Sequence, residues 1–434
     1  MSTLITDARL ADKRVVDIFI EGGQISAVNP DTDTDPDRAT HTIDADHQLV
    51  LPGGIDAHVH FRQPGAGHKE TWESGSRAAL AGGVTTVIDQ PNTDPPTTTG
   101  AAFDAKQTYA AAAGVDYGLN GGVTHRWDPE TLFERPMCAL GEVFLADSTG
   151  EMGIELSMFE SALHVATSNE TLITVHAEDE NQFNPTALHR ATDDIGLGAR
   201  ADHWSAYRPA NAEVSAVERA IDLAAASEAQ LHIAHVSTPE AVDQAVAAGV
   251  SCEATPHHLL LSQADAAELG TYGRMNPPLR SEEQREALFE RLLSGRIDIV
   301  ATDHAPHTHE EKNTTLRSAP SGVPGVETML PLLLAKAEQG RLSYERIQAV
   351  TATNVAELFG FENKGRIAQG YDADLVFVNP DAVQTITATE LETTCGWTPF
   401  EGAKGVFPTR TLLRGNVVYE NDSYTPIAGR NLCM

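Results

Sequence analysis

The sequence predicts an α/β fold: a (β/α)8 barrel carrying a small composite β-sandwich domain built from both chain ends. Three observations predict it. From Pro52 onward, apolar β-like runs alternate with helical stretches, the texture of parallel strands joined by helical crossovers. These runs number eight, the count a closed barrel needs. Before and after them the sequence reads as short strands and turns. An open doubly wound sheet shares the alternation, but no Gly-rich dinucleotide fingerprint follows an early strand.

In chain order, "VVDIFIEGGQISAV" alternates around Gly22-Gly23 and predicts a hairpin. "NPDTDTDPDR" from Asn29 is a polar, acidic loop. The barrel strands are expected at "IDAHVHF", "GVTTVIDQ", "VDYGLNGGV", "ALGEVFLA", "TLITVHAED", "AQLHIAHVS", "VSCEAT" and "IDIVATDHAP". Helices are expected between them at "AAFDAKQTYAAAA", "AEVSAVERAIDLAAA", "EAVDQAVAA" and "QREALFERLLSG". After "NKGRIAQGYDADLVFV" the strand-only texture returns through "TLLRGNVVYEN". The expected division is therefore 1–51 and 365–434 for the β-domain and 52–364 for the barrel. No fixed-period repeat is present.

The 434 residues include 62 acidic and 30 basic ones, a formal charge of −32. Only seven of the basic residues are lysines. Such a balance speaks against nucleic acid or an anionic membrane as partner. It is not the composition of a disordered chain, because 41% of residues are hydrophobic and well spread. A heavily carboxylated surface resembles that of proteins from halophilic archaea, where salt screens self-repulsion; an ordinary acidic enzyme is the alternative. Cys138, Cys252, Cys395 and Cys433 form no C-x-x-C pair, so a reducing, cytoplasmic setting is expected and no cysteine zinc site or redox motif is. "MSTLITDARLADKR" lacks a signal-peptide core, and no run is long enough to span a membrane.

In "GGIDAHVHF", His58 and His60 stand two apart. Strand alternation sends both to one face, where two imidazoles can share a cation; ordinary polar residues at a strand end are the alternative. Catalytic groups of such a barrel sit at the C-terminal ends of its strands. Strand four carries Glu142 and then Asp147, strand five ends at His176, strand six at His235 and strand eight at Asp303. Their joint placement on one rim predicts a metal site. Six ligands exceed one tetrahedral zinc and suit two divalent ions, zinc first, with manganese or cobalt as alternatives. Water held between two such ions has its pKa lowered to about 7, a nucleophile that needs no serine or cysteine. No G-x-S-x-G elbow offers a competing one.

"DAHVHFRQPG", "QPNT", "EATPHHLLLS", "MNPPLR" and "ATDHAPH", in this order, closely resemble the dihydroorotases of the cyclic amidohydrolase branch of the amidohydrolase superfamily. The resemblance runs from about Leu51 to Gly360. It implies reversible ring opening of dihydroorotate to N-carbamoyl-aspartate, a step of pyrimidine synthesis. It implies His58, His60 and Asp303 around one ion and His176 and His235 around the other, with Asp303 also the general base. Arg62 stands two residues past His60, so alternation predicts that it shares the face of His60; the substrate's carboxylate would meet Arg62 together with Asn92 and His307. Asn276 and the Ser321-Gly322 step would bind the ring, partly through backbone. Asn92 and Asn276 both adjoin proline, a position that turns also favour. His257 and His258 read as core or supporting residues, His304 and His309 as loop residues.

One departure stands out. Many relatives bridge the ions with a carboxylated lysine on strand four, where this chain has Glu142. Glu142 is the expected bridge, with Asp147 shortly after the strand as the alternative. The rival readings are another cyclic amidase, allantoinase or dihydropyrimidinase, or a catalytically inactive structural homologue. The pairing of Arg62 with Asn92 speaks against the first rival and the intact ligands against the second. The expected partner is a small-molecule substrate; the oligomeric state is left open, a homo-oligomer included.

Overall fold

The computed structural model describes residues 2–29, 39–148, 152–189 and 193–434. Beyond Asn29, the acidic loop expected at 29–38 lies outside the described residues.

The small domain opens with β1 (Ser2–Arg9), β2 (Val15–Glu21), β3 (Gln24–Asn29), β4 (His41–Asp44) and β5 (Leu49–Pro52). The expected hairpin joins β2 and β3. Glu21 pairs with Gln24, and Gly22 and Gly23 both take positive φ, as a two-residue primed turn requires.

Eight parallel strands follow: β6 (Gly54–Val59), β7 (Val84–Asp89), β8 (Asp116–Leu119), β9 (Leu140–Phe144), β10 (Ile173–His176), β11 (Leu231–Ile233), β12 (Ser251–Ala254) and β13 (Ile299–Val300). Ladders run β6-β7-β8 and β9-β10-β11-β12-β13. Bridges Gly121–Leu140 and Val59–His304 close the two remaining seams, the second through His60 N–H to His304 O at 2.8 Å. The ring is thus complete. Its strands are buried on both faces, which is why they read as apolar runs instead of alternating ones. The expected helices lie at 100–110, 210–227, 239–248 and 282–293. The last begins where the Ser281 hydroxyl accepts from Gln284 N–H, with Glu282 and Glu283 in the first turn.

The chain then returns to the small domain through β14 (Leu375–Val378), β15 (Gln384–Thr385), β16 (Lys404–Gly405), β17 (Pro408–Leu413), β18 (Asn416–Glu420) and β19 (Ser423–Tyr424). The antiparallel pairing of β14 with β5, Leu375 opposite Pro52, joins the two chain ends in one sheet running β19-β18-β17-β14-β5-β1-β2-β3. That sheet folds around its own apolar core, which includes Ile5, Ile18, Val50, Leu375, Phe377 and Leu412.

The last residues turn back to the barrel. Tyr117 N–H donates to Arg430 O and Leu432 N–H to Tyr117 O, and Cys433 forms a disulfide with Cys138, the Cα atoms 5.4 Å apart. This departs from the expected reduced cysteines. The expectation rested on the absence of local spacing, whereas the two residues are 295 apart and only the fold brings them together.

Barrel and small domain share a buried ionic cluster. Lys364 Nζ lies 2.6 Å from Asp116 on β8, 2.6 Å from Asp374 and 3.0 Å from Asp372, and Arg414 also pairs with Asp116. The three aspartates could hold a cation by their spacing, but the lysine ammonium already fills that place. Lys364→Met is expected to cost about 3–5 kcal/mol, since it strands buried carboxylates without their partner. Denaturant unfolding checks this; a loss below about 1 kcal/mol would place the cluster among exposed, screened pairs.

Candidate functional site

The strand ends place the site. His58 lies on β6, Glu142 on β9 and His176 at the end of β10; His60, His235 and Asp303 follow just after their strands. Gly141 allows Glu142 its position, because a Cβ there would stand 2.5 Å from Thr174 O. Three site residues hold positive φ without being glycine: Arg62 (63°), His235 (32°) and Asp303 (48°). Backbone in this region costs roughly 1–3 kcal/mol per residue, and such residues concentrate at functional sites.

Arg62 requires a correction. Strand β6 ends at Val59, so strand alternation does not carry Arg62 to the face of His60. The left-handed turn at Arg62 brings it there instead. His304 also differs from its reading as a loop residue. It is fully buried, its backbone closes the barrel, and its Nδ1 accepts from Gly325 N–H at 3.0 Å. His309 differs too: it opens a short helix, His309–Lys312, capped by Thr308, and lies against Tyr272 and Gly396 O.

Glu142 stands between two groups of imidazoles. Its Oε1 lies 2.6 Å from His235 Nε2 and 3.1 Å from His176 Nδ1, and its Oε2 lies 3.2 Å from His58 Nε2. Asp303 Oδ1 lies 2.8 Å from His60 Nε2 and 3.6 Å from His58 Nε2. Two sets of ligand atoms are close enough to share an ion: His58, His60 and Asp303, and His58, Glu142 and His235. Asp147 stands apart, its Oδ1 accepting from Gly153 N–H at 2.8 Å.

The histidines are aimed by partners that sequence reading missed. Glu253 Oε1 takes the Nδ1 proton of His58 at 2.6 Å, and its other oxygen lies 3.2 Å from His232 Nε2. Asn92 Oδ1 does the same for His60 Nδ1 at 2.6 Å, which gives Asn92 an orienting part beside the substrate contact implied for it. Glu178 Oε2 lies 2.8 Å from His176 Nε2 and is pinned by Arg208 at 2.6 Å. Fixing one ring nitrogen leaves the other free to bind a cation. His58 shows the result: its buried Nε2 makes no hydrogen bond although two carboxylates lie nearby. That orphaned nitrogen among carboxylate oxygens fits divalent ions held by imidazole and carboxylate. Glu178 and Glu253 left a weak trace in the sequence, as carboxylates embedded in the apolar runs "ITVHAED" and "SCEAT".

Electrostatics agree. Burial alone would raise the Glu142 carboxyl, but His58, His235 and His176 hold it well below its usual range. Burial would lower His58, yet Glu142 and Glu253 raise it well above the ordinary imidazole value. The imidazoles and carboxylates stabilise one another's charged forms strongly enough to overcome desolvation.

The remaining residues surround this cluster. Arg62, Asn92, Asn276, Ser321 and Gly322 line one narrow cavity with His60, Glu142, His176, His235 and Asp303. His307 sits behind it, 3.1 Å from Arg62. Asn276 accepts from Trp204 Nε1 at 2.8 Å and donates to Ser148 Oγ at 3.1 Å. Gly322 has φ 124°, and a Cβ there would stand 2.6 Å from the Ala305 side chain, so the backbone itself faces the cavity. His257 and His258 are buried, the latter held by Thr255 and by Pro277 O.

The family model described as "Amidohydrolase family" matches residues 49–418. A dihydroorotase of Halobacterium salinarum is 57% identical over 99% of both chains. An allantoinase of Rubrobacter xylanophilus is 38% identical, covering 94% of this chain and 91% of its own. Among solved structures, an L-hydantoinase (dihydropyrimidinase) from Arthrobacter aurescens superposes with a TM-score of 0.92 at 29% identity, over 99% of both chains. A metal-ready cluster at the strand ends of a barrel and full-length likeness to these enzymes lead to one conclusion: the chain belongs to the amidohydrolase family and, within it, to the dihydroorotases.

Proposed function

We propose that the protein opens the ring of dihydroorotate reversibly to N-carbamoyl-aspartate, in pyrimidine synthesis. The observation that carries this reading is Arg62. Its guanidinium is buried, lines the cavity of the metal cluster, and has no carboxylate within ion-pair distance among the described residues. A buried cation left unpaired beside a catalytic centre calls for an anionic ligand. Dihydroorotate brings a carboxylate on its ring; an uncharged ring such as that of allantoin does not.

Two divalent ions, zinc by preference for imidazole and carboxylate, would be held by His58, His60 and Asp303 and by His176 and His235, with Glu142 between them. When bound, such ions polarise the scissile carbonyl and supply a nucleophile from water at neutral pH. Glu253, Asn92 and Glu178 keep His58, His60 and His176 in the tautomers that metal binding requires. Arg62, Asn92 and His307 anchor the carboxylate; Asn276 and the Ser321-Gly322 backbone hold the ring against the cluster. Asp303 takes a proton from the attacking water and delivers it to the ring nitrogen as the C–N bond breaks. The water's oxygen ends in the new carboxylate. The chain divides, on this reading, into a catalytic barrel at 52–364 and a supporting β-domain at 1–51 and 365–434.

Purified protein with its metal content measured should convert dihydroorotate and leave allantoin and dihydrouracil largely untouched. Faster turnover of either uncharged ring would move the assignment to that amidase.

Arg62→Met should lower kcat/KM for dihydroorotate by the equivalent of roughly 2–5 kcal/mol and leave the trace turnover of dihydrouracil unchanged. Equal damage to both would make Arg62 structural. Unfolding temperature and activity should both rise from dilute buffer to molar salt, as screening relieves the charge of −32. A melting temperature flat across that range would mark an ordinary acidic enzyme.

A further inference from the structure

We propose that Lys69 is a positioning residue for the substrate's carboxylate, and that it acts by fixing the tautomer of His307 beside Arg62. The inference rests on the dihydroorotase reading of the cavity. Lys69 Nζ lies 3.1 Å from His307 Nδ1 and 3.0 Å from Glu311 Oε1. An ammonium has donors and no acceptor, so His307 Nδ1 must offer its lone pair. The proton of the neutral ring is then on Nε2, where Ser321 O accepts it at 2.9 Å.

The consequence falls on Arg62. Its terminal nitrogen stands 3.1 Å from the same His307 Nε2, which carries a hydrogen and cannot accept. The guanidinium N–H therefore finds no acceptor on His307, whose own N–H is taken by Ser321 O. A carboxylate oxygen suits that arrangement. With the opposite tautomer His307 Nε2 would accept from Arg62, and its Nδ1–H would turn to Glu311 Oε2, 3.7 Å away. Arg62 would then be satisfied within the protein, and its call for an anion would weaken. Lys69 keeps the Arg62 donor open.

Lys69 is built into place. Its backbone carbonyl accepts from the Thr394 hydroxyl at 2.7 Å, and the adjoining Glu70 is held by Ser74 and Thr393. From the other side, Trp397 Nε1 donates to His307 O at 2.7 Å. The 393–397 segment thus braces both the loop after β6 and the loop after β13.

The test pairs Lys69→Met with Lys69→Arg. Nitrogen NMR of 15N-histidine-labelled protein, with His307 identified by its loss in His307→Gln, reads the tautomer without substrate. The parent protein and Lys69→Arg should show Nε2 protonated and Nδ1 bare, because a guanidinium also only donates. Lys69→Met should shift the proton toward Nδ1. In steady-state assays Lys69→Met should raise the KM for dihydroorotate by about tenfold or more with kcat within about threefold, and Lys69→Arg should recover most of that loss. An unchanged tautomer in Lys69→Met, an unchanged KM, or a fall in kcat without a rise in KM would overturn the proposal. A parent enzyme that fails to open dihydroorotate would overturn the substrate reading instead, and the tautomer result would still decide what Lys69 does to His307.

Discussion

Asp303→Asn is expected to lower turnover by about 10²–10⁴-fold and to leave the fold intact. The side chain keeps its shape, and asparagine tolerates the left-handed backbone that Asp303 adopts. The position lies at the rim, after β13, and not in the apolar core. What is lost is the proton acceptor. Asp303 Oδ1 is the carboxylate oxygen nearest His60, at 2.8 Å, and it lines the cavity. An amide can neither take the proton from water nor return it to the ring nitrogen. Turnover of the metal-loaded variant, beside circular dichroism and metal analysis, checks this. Near-normal turnover would remove Asp303 from the proton path.

Glu142→Gln is expected to lose at least one equivalent of metal and, with it, nearly all activity. Glu142 reaches His235 and His176 with one oxygen and His58 with the other, so its carboxylate lies between the two ligand groups. Glutamine keeps the volume but is a weaker, neutral ligand. Asp147→Asn should retain the full metal content, because Asp147 is spent on Gly153 N–H outside the cluster. Loading of the apo-protein should not respond to bicarbonate, since the glutamate carboxylate is encoded and ionised at neutral pH. Emission spectroscopy of the purified variants reads the result. The reverse ranking, with Asp147→Asn stripping metal and Glu142→Gln retaining it, would move the bridge to the loop after β9.

Why the barrel was legible follows from its burial. Strands covered on both faces must be apolar throughout, so "GVTTVIDQ" and "TLITVHAED" announce themselves, and polar residues at their ends are conspicuous. His58, Glu142, His176, His235 and Asp303 could be gathered from one chain for that reason. Their supports could not. Glu253 serves His58 from 195 residues away, and Arg208 pins Glu178 from a helix-flanking loop. No local pattern encodes such pairings. Arg62 shows the other limit: its side chain arrives by a left-handed turn, which alternation along β6 does not foretell. The Cys138–Cys433 disulfide was hidden for the same reason as Glu253, because its proximity is made by topology alone.

The pairing of β5 with β14 has a consequence in time. During synthesis β5 emerges early, and its partner strand follows about 320 residues later. At about 5–20 residues per second this interval lasts roughly 15–60 s. Throughout it, the edge of β5 presents unpaired N–H and C=O groups, the template on which nascent chains stick to one another. Lys364, Arg414 and Cys433, which tie the tail to the barrel, emerge later still than most of the barrel itself. Assembly of the small domain is therefore an event of chain release, and a ribosome that stalls before residue 375 leaves behind a barrel with an open strand at its side.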